Sequence, residues 1–65
     1  MFFEFITLRN EKVSININHI LFVTPTKKGT MLVDVNNNDY ETLESYTNVI
    51  FRLNNLELSK SAKTY

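Results

Sequence analysis

Apolar and polar residues alternate in short runs over the first two-thirds of the chain, and the period lengthens only near the end. Phe2 to Leu8 is aromatic and β-branched, which suits a strand. Phe3 and Phe5 fall on one face of it, and Phe2, Glu4, Ile6 and Leu8 on the other. With apolar side chains on both faces, this strand is expected to be central or packed on two sides. Arg9-Asn10-Glu11-Lys12 is a polar turn, and Val13-Ser14-Ile15-Asn16-Ile17 alternates as a half-buried strand does. The two runs predict a β-hairpin. Asn18-His19 is a short break, with Asn18 able to bond its own backbone.

Ile20 to Thr24 predicts a third strand, ended by Pro25, which cannot donate to a sheet ladder. Thr26-Lys27-Lys28-Gly29 is the next turn, and Gly29, the only glycine, is available there for a left-handed conformation. Thr30 to Val35 predicts a fourth strand, with Met31, Val33 and Val35 sharing a face. Asn36-Asn37-Asn38 is a turn of residues that tolerate positive φ, and Asp39 to Thr42 a short fifth strand.

A helix follows. Ser45 is a good N-cap, and Glu44 sits where the macrodipole favours negative charge. Tyr46, Val49, Ile50 and Leu53 form one apolar stripe, which Phe51 is expected to broaden. Asn54-Asn55 predicts the helix end. Leu56-Glu57-Leu58 either continues it or adds a short extended piece. The predicted fold is α+β: a small antiparallel sheet of four or five strands with one C-terminal helix packed on it. Residues 1–58 form this domain. Residues 59–65, with Lys60 and Lys63, are expected to be a frayed polar tail.

Length and composition narrow the chemistry. A chain of 65 residues buries only about 60% of the surface its unfolded form exposes, so disulfides, a metal or a partner usually supplement the core. There is no cysteine, which excludes disulfides and thiolate metal sites and fits a reducing cytoplasm. His19 is the only histidine. Partner burial or self-association, with a homodimer among the options, is left as the expected supplement. Seven basic and seven acidic residues give zero net charge, so the basic excess of a dedicated nucleic-acid binder is missing. Phe2 to Ile6 lacks the basic flank of a signal sequence, and no stretch has the apolar length of a membrane span. A cytoplasmic protein without a membrane partner is the expectation.

Four constellations invite chemistry. Asp34, Asn36 and Asn38 imitate the start of a calcium loop, but the sixth position holds Asp39 instead of glycine and the twelfth Ser45 instead of glutamate. A hairpin turn stabilised by Asn side chains is the simpler reading. His19 lacks an evident second group to orient it, and Asp39 and Glu41 share one strand face that reads as a solvated edge. Lys27 and Lys28, with Arg9 and Lys12, can touch phosphates while Phe22 or Tyr40 stacks on bases, as in sheet-based single-strand binders. The acidic residues dilute that footprint. No catalytic residue, cofactor or metal is therefore predicted, and the chain is read as not an enzyme.

The aromatic excess is more informative. Five Phe and three Tyr exceed what so small a core easily encloses. Either the helix is buried over a wide arc, or the excess marks an interface.

Thr7-Leu8 before a polar turn, Val13-Ser14-Ile15-Asn16, Ile20 with Val23, then Pro25, Thr30, Leu32, Glu44-Ser45 and Val49 follow an order that resembles the small FlbD-type flagellar proteins of bacteria. The resemblance runs from Phe5 to Leu53, about three-quarters of the chain, and consists mostly of hydrophobic spacing. The chain lacks that family's glycines in the first and last turns and adds residues 54–65. The resemblance implies a non-catalytic accessory protein and no catalytic residues. The expected function is a small binding or regulatory protein acting through protein–protein contact, with a phage-encoded modulator of a host factor as one setting. A nucleic-acid-binding module and a flagellar accessory protein are the alternatives. Phe2, Phe22 and Phe51 are the expected partner contacts, with Lys27 and Lys28 at the rim.

Overall fold

The computed structural model describes residues 1–62, with side chains as far as residue 56. Five strands and one long helix follow in the predicted order: β1 (Phe2–Ile6), β2 (Lys12–Asn16), a 3-10 turn at Ile17–His19, β3 (Ile20–Pro25), β4 (Thr30–Asp34), β5 (Asp39–Thr42) and α1 (Tyr46–Ala62). The α+β class holds. The strands form two antiparallel sheets rather than one, β1-β2 and β3-β4-β5. They meet at one corner, where Thr7 bridges Thr42 and the Leu8 N–H donates to the Glu41 carbonyl at 3.0 Å.

The first hairpin sets Phe3 opposite Ile15 and Phe5 opposite Val13. These inward residues join Ile17, Leu32 and Val49 in the core, with Val23, Tyr40, Leu53 and Leu56 packed around them. The Phe3 and Phe5 rings lie 5.7 Å apart, and Tyr40 meets Phe5 edge-on at 5.9 Å. β1 is packed on one side only. Phe2 and Ile6 are exposed, so the expectation of a central strand with two covered faces is overturned. Its paired partner β2 ends the sheet, and only the inward face meets the helix and the second sheet.

One turn departs from its predicted conformation. Gly29 has no positive φ; the left-handed residues are Asn10 in the first turn and Asn37 in the β4–β5 turn. Gly29 is required for a different reason. A Cβ there would lie 2.2 Å from the Thr42 carbonyl oxygen and 2.8 Å from the Leu43 carbonyl carbon. The β3–β4 turn thus presses directly on the chain leaving β5. Beside it, fully buried Thr30 donates its hydroxyl to the Glu44 carbonyl at 2.8 Å, fixing the approach to the helix.

Ser45 caps α1 as predicted: its hydroxyl accepts the Asn48 N–H at 3.2 Å. Asn54-Asn55 does not end the helix, which runs on to Ala62. Asparagine is a poor helix residue but not a breaker, and Leu56, one turn past Leu53, gains core contact by continuing. The expected polar tail therefore begins inside the helix, and its last three residues lie outside the described residues. Arg52 ties the helix to β1. Its guanidinium stacks 4.2 Å over the Phe3 ring, donates to the Glu4 carbonyl and pairs with Glu44 at 2.6 Å.

Phe3→Ala is expected to cost about 3–5 kcal/mol, read as a lower urea midpoint. Gly29→Ala, a single added methyl group, is expected to cost about 1–3 kcal/mol by the same measurement. Lys28→Ala beside it should stay within about 0.5 kcal/mol of the parent.

Candidate functional site

The side-chain alternation of the second sheet defines two faces. Leu32, at the middle of the central strand, points into the core and is fully buried. Met31 and Val33 therefore point the other way. Across the strands, Phe22, Val33 and Asp39 form one row of this outer face, and Thr24, Met31 and Glu41 the next. Val33 is only 7% exposed although it lies outside the core cluster. Phe22 beside it remains 50% exposed. No helix covers this face among the described residues: α1 packs with the core residues on the opposite side.

The expected contact residues are all exposed, but they are not brought together. Phe2, 61% exposed, lies on the outward side of β1 and borders a groove of about 350 Å³ with Arg52, Asn55 and Leu56. Phe51 is two residues beyond Val49, so it lies about 200° around the helix from that fully buried side chain. It is 63% exposed and faces away from the core, rather than broadening the apolar stripe. Phe22 sits on the outer sheet face, and Lys27 and Lys28 are exposed at the β3–β4 turn. Met31 and Val33 belong to the Phe22 surface and were not singled out from the sequence beyond sharing a face. Their alternation was visible, but it leaves open which face points to the core.

The other constellations resolve into local structure. The Asp34 carboxylate accepts the N–H groups of Asn36 at 2.9 Å and Asn38 at 3.0 Å, the Asn38 side-chain amide at 3.2 Å and the Tyr40 hydroxyl at 3.4 Å. The Asn-rich turn is organised around this carboxylate. Burial pushes the Asp34 carboxyl up, but the hydrogen bonds outweigh burial and hold it below its ordinary value. Burial likewise raises the Tyr40 phenol, helped by the Asp34 charge and hydrogen bond. Glu41 accepts the Thr26 hydroxyl at 2.8 Å, which braces the Lys27-Lys28 turn. His19 stands exposed beside β3, and its carbonyl takes the Val35 N–H. β4 separates it from Asp39 and Glu41 by two strand spacings, roughly 10 Å across the sheet, and Glu41, opposite Met31, lies farther along the strands as well.

A groove of about 480 Å³ between the first turn and β5 is lined by Arg9, Glu11, Asp39, Tyr40 and Glu41, without His19. Among the described residues, no group of three or more His, Cys, Asp or Glu side chains is placed to hold a metal ion. No helix among them is long and apolar enough to cross a membrane. Comparison with protein-family models, curated proteins and solved structures finds no match.

Because the native Asp34 carboxyl titrates below its unfolded value, its contribution to stability is complete above that value. It is lost as pH falls through the depressed native one. Asp34→Asn is therefore expected to destabilise the hairpin at neutral pH. The gap between variant and parent in urea midpoint should narrow as the pH falls from about 5 through the acid range. A gap that stays constant across that range would remove the carboxylate from this role.

Proposed function

We propose that this chain is a small non-enzymatic binding protein that works in the cytoplasm by protein–protein contact, through the outer face of its three-stranded sheet. The observation that carries this reading is Phe22, half exposed on that face with partly buried Met31 in the next row and no helix over it among the described residues. An apolar sheet face without a covering layer is the kind of surface that partners bury. Aromatic side chains on such faces supply much of the binding free energy.

Charge favours a protein over a nucleic acid at this surface. Asp39 and Glu41 lie in the same two rows as Phe22 and Met31, so a base stacked on Phe22 brings its phosphates toward carboxylates. The separation of His19 from the β5 carboxylates argues against acid–base catalysis by that pair.

Immobilised protein is expected to retain a partner from lysate that Met31→Lys, checked for a native circular-dichroism spectrum, fails to retain. Ser14→Lys on the outside of the first sheet should retain it as the parent does. Equal retention by all three proteins, or none by any, would overturn this reading.

A further inference from the structure

We infer that the partner presents a segment with a lysine or arginine between apolar side chains, and that this segment crosses from the outer sheet face onto the corner where β5 meets β1. The inference rests on the reading of that face as a contact surface, and names the chemistry of what covers it.

The apolar surface does not end at β5. Thr7 pairs with Thr42, and the Leu8 N–H reaches the Glu41 carbonyl, so Leu8 falls beside Glu41 and Ile6 beside Leu43. All three apolar side chains are exposed, Leu43 most of all at 71%, and they border one groove of about 360 Å³. The Leu43 backbone is held on both sides. The Gly29 turn presses on its main chain. The next residue, Glu44, donates its N–H to the Thr42 hydroxyl at 3.3 Å and accepts the Thr30 hydroxyl on its carbonyl. An exposed side chain on a backbone so fixed gives up little freedom when a partner covers it.

Charge selects the occupant. The Leu43 groove shares Thr7 and Leu8 with the larger groove between the first turn and β5. Glu11, Asp39 and Glu41 line that larger groove against one cation, Arg9, while Lys27 and Lys28 line neither. Among the described residues, ion pairs join Lys12 to Glu4 and Arg52 to Glu44, and none joins Arg9 to these carboxylates. Glu41 uses one oxygen on the Thr26 hydroxyl. Two apolar stretches, Phe22 with Met31 and Leu8 with Ile6 and Leu43, therefore flank a line of carboxylates with net negative charge. A wholly apolar partner would bury those carboxylates without a counter-charge. A nucleic acid or an anionic lipid surface would bring phosphates against them. A lysine or arginine pairs with them while its apolar neighbours cover the two sides. From β3 to β1 is three strand spacings, roughly 15 Å, which about five extended residues span.

Selection from a random-peptide display library on the immobilised protein tests this. Enriched sequences are expected to carry Lys or Arg with apolar residues on both sides. A synthetic peptide of the enriched sequence should bind Leu43→Ser about 10-fold more weakly than the parent. Asp39→Lys should weaken it by about 10-fold as well, and less so in high salt. Replacing the peptide's basic residue by Glu should abolish binding to the parent and regain part of it on Asp39→Lys. Where a variant does not fold, amide shifts in the parent decide: the peptide should move Leu8, Glu41 and Leu43 together. No enrichment, enriched peptides without a basic residue, or equal binding to parent, Leu43→Ser and Asp39→Lys would overturn the inference. Acidic or neutral peptides whose binding is lost with Met31→Lys would sink it and leave the sheet face as the contact surface. Basic peptides that need Leu43 but ignore Met31→Lys would sink the sheet-face reading instead and confine the segment to the corner.

Discussion

Phe3 is the side chain on which both hairpins and the helix converge. It is fully buried, set opposite Ile15 within its own hairpin and against the ring of Phe5. The Arg52 guanidinium closes over its other side. In a domain this small there is room for one layer of core side chains, so a single ring organises a large share of the packing. Arg52 serves that ring twice. It covers the face that would otherwise meet water, and it spends its donors on the Glu4 carbonyl and the Glu44 carboxylate. Glu44 also accepts from Asn48, so the first turn of the helix and its attachment to β1 share one carboxylate.

The core also explains why so many large apolar residues remain outside it. Phe2, Ile6, Leu21, Phe22, Leu43 and Phe51 are all exposed. Strand alternation forces this on Phe2 and Ile6, because Phe3 and Phe5 have taken the inward positions. The helix forces it on Phe51, because Val49 and Leu53 have taken the inner face.

The strand order, the Ser45 cap and the Asn-rich turn were legible in the sequence because each rests on local chemistry: alternation, a capping hydroxyl, residues tolerant of positive φ. What was hidden depended on contacts between distant segments. Nothing near Gly29 in the sequence announces that Thr42 and Leu43 will press against it. Asn54-Asn55 reads as a stop until Leu56 is seen against the core. How the two sheets meet hangs on the Thr7–Thr42 bridge, which joins residues far apart in the chain. The candidate surface was half legible. Phe22 stood out as an aromatic on a strand, whereas Met31 and Val33 needed the position of Leu32 to fix their direction.

The Asp34 carboxylate has a consequence for what closing the chain costs. Its hydrogen bonds reach no farther than six residues, to Tyr40, so the β4–β5 hairpin closes a short loop at small entropic cost. The link from Arg52 to Glu4 spans 48 of the 65 residues. Closing the longer span costs more chain entropy than closing the short one, so the helix clasp must be held by more than its own hydrogen bond. That further hold comes from Val49, Leu53 and Leu56 against the core and from the Arg52 guanidinium over Phe3.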